Sequence, residues 1–244
     1  MTLGRENASS ESGSALVYIL IAIALLAALT FTFMQPSNQQ ASSQSIFRTV
    51  TKIQSQVDII RSTIQACVLS YKQGDTSIDN GASGTDPGAR RNFPIKPNST
   101  HFSTATIGPT VGRLVRDLRC PGNPGGGDEN HEKIFGGTTG RFMPTTPELF
   151  EPWQYYNGND GIFFWIQTNK TDSHLSSSLY KLDEQFAECE ADVIDARSST
   201  VDLDSDAEVE CQSGYLCFRV RMVIKSSAVY NGDTDGEEAA ASCP

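Results

Sequence analysis

Between Ala15 and Phe33 the chain runs for nineteen residues without a charge, a glycine or a proline. As an α-helix that run is about 28 Å long, close to the thickness of a bilayer's hydrocarbon core. A rod apolar on every side has no face to turn to water, so it must be covered all round. A secretory signal would carry a basic leader, a shorter apolar run and a small-x-small cleavage site. Here the leader MTLGRENASSESG holds one Arg and two Glu, and Phe33-Met34-Gln35-Pro36 follows the run. The expectation is a retained segment, not one removed by signal peptidase.

Charge does not orient the rod, since Arg5 lies before it and Arg48 and Lys52 lie well after it. The cysteines decide. Cys67, Cys120, Cys189, Cys211, Cys217 and Cys243 all follow the rod, and none forms the closely spaced pair of a zinc or dithiol site. An even count beside a membrane segment points to disulfides in an oxidising compartment and to a C-terminal part outside the cytoplasm. Any pairing is open at this point; Cys67 with Cys120 would tie a long helix to the start of the globular part, and Cys243 would pin the C-terminus.

Ile46, Val50, Ile53, Val57, Ile60, Ile64, Cys67 and Tyr71 follow one another at alternating spacings of four and three. That is one apolar stripe down one face of a helix, with Gln, Ser, Thr, Lys, Arg and Asp largely opposite. Gly74-Asp75 ends it. The stripe fits a coiled-coil stalk or a helix laid on a sheet of its own domain. Pro36 stands where the two helical halves meet and would kink or melt the join.

A short polar leader ending in Gly13, an apolar helix starting at once, a proline some two dozen residues on, an amphipathic continuation and a Cys-bearing, loop-rich domain resemble the type IV pilins and type II secretion pseudopilins. The resemblance covers residues 1 to about 75. It implies cleavage by a prepilin peptidase between Gly13 and Ser14, an inner-membrane stage, and later packing of the apolar helix, from Ala15 through Phe33 to Pro36, against other pilin or pseudopilin subunits. Where the family usually places Phe just after the glycine and Glu a few residues on, this chain has Ser14 and Tyr18, and Glu11 and Ser12 stand in place of the usual basic residues. The missing Glu is similar to the minor pseudopilins and implies a minor or initiating subunit.

From Asp75 to about Pro152 the chain is dense in turn formers, with a short helix expected over Thr110 to Leu118. The glycines of IFGGTTGRFMP, residues 134 to 144, read as turns, because no GK[ST] follows. GIFFWIQT (161–168) and YLCFRVRMVI (215–224) predict strands, with Arg219 and Arg221 on one face of the second. Asn157 to Asp160 predicts a hairpin turn with WQYY (153–156) as the partner strand. Leu175, Leu179, Leu182 and Phe186 mark a helix entered through Thr171, Asp172 or Ser173, and Glu190 to Ala196 a further strand. The expected fold is α+β: a long N-terminal helix packed on a small antiparallel sheet with one additional helix, loop-rich and pilin-like. Its divisions are a leader at 1–13, a transmembrane or filament-core helix at 14–35, an amphipathic helix at 36–74, and an extracytoplasmic domain at 75–244.

Residues 180–244 hold 15 Asp and Glu against 5 Lys and Arg, a balance of −10 that equals the whole chain's net charge. No basic face for nucleic acid is visible. His101, His131 and His174 sit in polar surroundings, with no HExxH and no GxSxG, so no catalytic residues are nominated and no enzyme is expected. Asn231, Asp233 and Asp235 before Gly236 space oxygen donors as a calcium loop does, although its twelfth place is Ser242. Asp202, Asp204, Asp206, Glu208 and Glu210 also alternate. Both runs fit either a solvated acidic loop or calcium. The expected function is a filament subunit; the rival is a single-pass, membrane-anchored extracytoplasmic binding protein that does not assemble.

Overall fold

The Ile and Val stripe does become one face of a helix laid on a sheet. In the computed structural model, which describes residues 12–34, 38–70, 94–95, 113–120, 133–136, 140–158, 161–187, 189–204 and 209–224, the chain divides into two units, 1–44 and 45–244. The first holds α1 (Ser12–Met34) and the opening turns of α2 (Asn38–Ser70). Tyr71, Pro36 and Gly74-Asp75 lie outside the described residues.

In the second unit the remainder of α2 lies against an antiparallel sheet. The sheet is built from β1 (Arg113–Leu114), β2 (Gln154–Gly158), β3 (Gly161–Thr168), β4 (Ala191–Asp195) and β7 (Leu216–Ile224), ordered β1-β2-β3-β7-β4. Val50, Ile53, Val57, Ile60, Ile64 and Cys67 are buried in one core with Tyr155, Phe164, Ile166, Phe218 and Val220 of the sheet. α3 (Ser173–Asp183) adds Leu175, Leu179 and Leu182 to that core, with Phe186 packed at its margin. On the opposite face, a small hairpin of β5 (Val201–Asp202) and β6 (Glu210–Cys211) covers Tyr156, Phe163 and Trp165 with Leu203 and Val209. β3 is therefore buried on both faces, which is why IFFWI reads as a continuous apolar run rather than an alternating one.

The stripe is not purely apolar. Gln56, buried between Ile53 and Ile60, donates from Nε2 to the Thr145 carbonyl at 2.8 Å and accepts the Trp153 indole N–H at 2.7 Å. Its amide is thereby satisfied, and it stitches α2 to the segment leading into β2. Truncating a fully buried member of the stripe leaves a cavity under the sheet. Ile60→Ala is expected to lower stability by about 2–5 kcal/mol, measured by chemical denaturation of the full chain in detergent.

Several local expectations are corrected. Of the helix expected over Thr110 to Leu118, the described part is the two-residue β1 followed by a single 3-10 turn at Val115–Asp117, because Leu114 pairs with Gln154 and the Val115 amide reaches the Trp153 carbonyl at 2.9 Å. β2 runs on through Asn157 and Gly158, which pair with Ile162 and Gly161, so the hairpin turn is shorter than expected. Gly161 has φ +133°, and a Cβ there would stand 2.1 Å from the Val223 carbonyl oxygen, so glycine alone fits where β3 closes on β7.

Candidate functional site

α1 is apolar around its whole circumference, and every side chain from Ala15 to Thr30 is exposed in the single chain. Leu16, Ile19, Leu20, Ile23, Leu25 and Leu26 each present more than half of their surface, and Tyr18 is 70% exposed. The Thr30 hydroxyl turns back to donate to the Leu26 and Ala27 carbonyls, both at 2.9 Å, so it offers little to water. An exposed apolar patch on this scale marks an interaction surface. Among the described residues no helix is long and apolar enough to cross a membrane.

Of the residues expected to act here, Gly13 and Ser14 lie in the first turn of α1, Ala15 and Tyr18 follow, and Phe33 is near its end. The helix begins at Ser12, so the Gly13–Ser14 bond is helical.

The second unit holds a group of charges that the sequence places on one strand face without showing their burial. Arg219 of β7 is fully buried. It donates from Nε to Asp192 Oδ1 at 2.9 Å, from Nη2 to Asp192 Oδ2, and from Nη1 to the Leu203 carbonyl. Its guanidinium lies 5.4 Å from the Phe163 ring centroid, a geometry in which the ring's negative face meets the cation. Arg221 Nη2 lies 3.9 Å from the same Asp192 oxygen. The cause is register: Asp192 of β4 stands directly opposite Arg219, and the β5–β6 hairpin closes over both. Nearby, Arg61 of α2 pairs with Glu190 and donates to the Arg221 carbonyl at 3.2 Å, locking helix to sheet edge. Tyr155 is buried too, and loss of water pushes its phenol well above the ordinary value; its hydroxyl donates to the Pro94 carbonyl.

This network stabilises; it does not bring a nucleophile to a base. His174 sits at the start of α3, and His101 and His131 lie outside the described residues. Among the described residues no group of three or more His, Cys, Asp or Glu is arranged to hold a metal. Asn231, Asp233 and Asp235 fall outside them, as do Asp206 and Glu208. Asp202 and Glu210 are not on a single strand face but directly opposite one another on β5 and β6.

Cys67 is bonded to Cys120 and Cys211 to Cys217, and Cys189 is also disulfide-bonded; Cys243 is outside the described residues. Such bonding places the second unit in an extracytoplasmic compartment. In comparisons with known proteins, no protein family, no curated protein and no solved structure matches the chain.

Proposed function

We propose that this chain is a structural subunit of a type IV pilus-like or type II secretion pseudopilus filament, in a minor or initiating role. One observation carries the reading: a helix with no polar face stands exposed on a chain whose other unit has closed its own core on both sides of the sheet. Something outside the chain must cover α1. A bilayer does so at the first stage, with α1 as the single inner-membrane span and the disulfide-bonded unit outside. The α1 helices of neighbouring subunits do so after assembly, when lipid is exchanged for side chains of the same polarity. Tyr18 suits that exchange, since an ionised group at its place would be costly to bury without a partner.

Cutting by a prepilin peptidase after Gly13 would free Ser14 as the new N-terminus and remove Glu6 and Glu11 from the end of the rod. The expected result, from mass spectrometry of the protein isolated from its own membranes, is a mature chain beginning at Ser14, with or without an added N-methyl group. An intact leader in every molecule overturns the filament reading in favour of a single-pass anchored binding protein. No catalytic or cofactor role enters this proposal.

A further inference from the structure

Cys189 stands two residues before β4, an outer strand of the sheet, and is disulfide-bonded. The sequence holds six cysteines. Cys67 and Cys120 are bonded to one another, as are Cys211 and Cys217, and no cysteine among the described residues is free. A sulfur enters one such bond, so a single cysteine of the chain is left for Cys189.

We infer that Cys189 is bonded to Cys243, and that this bond turns the segment after β7 into a loop rooted at both ends beside the entrance of β4. The ladder shows why the two ends come together. Ala191 stands opposite Val220, and the Arg221 N–H donates to the Glu190 carbonyl at 2.8 Å, which brings Cys189 next to the end of β7. Cys189, Met222 and Ile224 line one groove of about 510 Å³, with Arg61, Gln65 and Glu190. The chain leaves β7 at Ile224 on the rim of that groove and is held again at Cys189 on the same rim. Residues 225–242 could extend to about 60 Å, so the return needs no stretching. Asp233, Asp235, Glu237 and Glu238 then belong to a closed loop and not to a free tail.

The bond also has a place in the sheet. β1 and β4 are its two outer strands, and each has a ladder neighbour on one side only. Cys67–Cys120 staples the sheet beside β1, and Cys189–Cys243 staples it beside β4, closing a loop of nearly the same length. Both remove freedom from the unfolded chain at an edge that pairing alone holds weakly. In forming, one S–S bond replaces two S–H bonds. Two electrons and two protons pass to the disulfide of an oxidising thiol–disulfide exchange protein, which is left as a dithiol.

The test is a tryptic map of the full chain isolated from its own membranes, with thiols alkylated before denaturation and no reductant added. Cleavage after Lys181 and Arg197 puts Cys189 on residues 182–197, and Lys225, the last basic residue, puts Cys243 on the peptide that begins at Ser226. Cys67 falls on 62–72, Cys120 on 120–133, and Cys211 and Cys217 share 198–219, so every pairing has its own mass. The expected species joins 182–197 to the Ser226 peptide and splits into those two on reduction, from a chain that runs as a monomer on a non-reducing gel. Cys243→Ser is expected to turn Cys189 from unlabelled to labelled while Cys67–Cys120 and Cys211–Cys217 stay intact. Alkylated Cys189 in the native chain, linkage of 182–197 to any other cysteine peptide, or a dimer that reduction dissolves overturns the inference. If the variant misfolds, shown by loss of Cys67–Cys120, the map of the native chain decides alone. The bond does not depend on the filament reading, which the N-terminal mass tests separately.

Discussion

Asp192→Ala is expected to lower the stability of the second unit by about 3–5 kcal/mol, a large part of what holds a domain of this size together. Asp192 is the only carboxylate bonded directly to the Arg219 guanidinium among the ion pairs of the described residues, and it also stands nearest Arg221. Removing it takes from the fully buried Arg219 the carboxylate that accepts two of its hydrogen bonds. The Leu203 carbonyl and the Phe163 face remain for Arg219, but neither cancels a full charge. The destabilisation thus reflects a buried guanidinium that has lost its carboxylate and not the worth of the pair, which a companion variant separates. Asp192→Leu combined with Arg219→Met removes both charges at similar volume and should cost far less than the single change. Chemical denaturation followed by fluorescence of Trp153 and Trp165, both in the core, reads the difference. A single-variant loss below about 1 kcal/mol would mean that water reaches Arg219.

The same residues show how far the sequence could be read. The α2 stripe, β3, β7, α3 and β4 announce themselves, because a half-buried helix repeats near every third or fourth residue and a strand buried on both faces is a short apolar run. Arg219 and Arg221 alternate with Phe218 and Val220 as a surface-facing pair would, and nothing local says that a further layer covers Arg219. That layer is two residues on each strand, Val201–Asp202 and Glu210–Cys211, too short to leave a periodic trace. Gln56 was hidden for a similar reason: its place on the inner face follows from the spacing, but its partners, Thr145 and Trp153, lie 89 and 97 residues away. The apolar helix α1 was the most legible part, since nineteen uninterrupted apolar residues allow few environments. The acidic run was legible as charge but not as a cross-strand confrontation, because register between β5 and β6 is set by tertiary packing.

Replacing Cys67 and Cys120 together by Ser should cost about 4 kcal/mol, roughly twice the cost of replacing Cys211 and Cys217. The contrast comes from loop length. Cys67–Cys120 closes a separation of 53 residues, and Cys211–Cys217 one of 6, so the first removes far more freedom from the unfolded chain. It also acts where the fold is otherwise weakly joined. Cys67 sits one turn from the end of α2 and Cys120 just beyond the Arg119–Lys133 bridge, beside the two-residue edge strand β1, whose few ladder bonds cannot hold that edge alone. The bond ties the C-terminal end of α2 to the sheet edge. The double variant should therefore lose stability at equilibrium and, in native-state hydrogen exchange, lose protection first at the C-terminal turns of α2 and at residues 113–120. Uniform loss of protection across β3 and β7 instead would show that the bond acts on global unfolding alone.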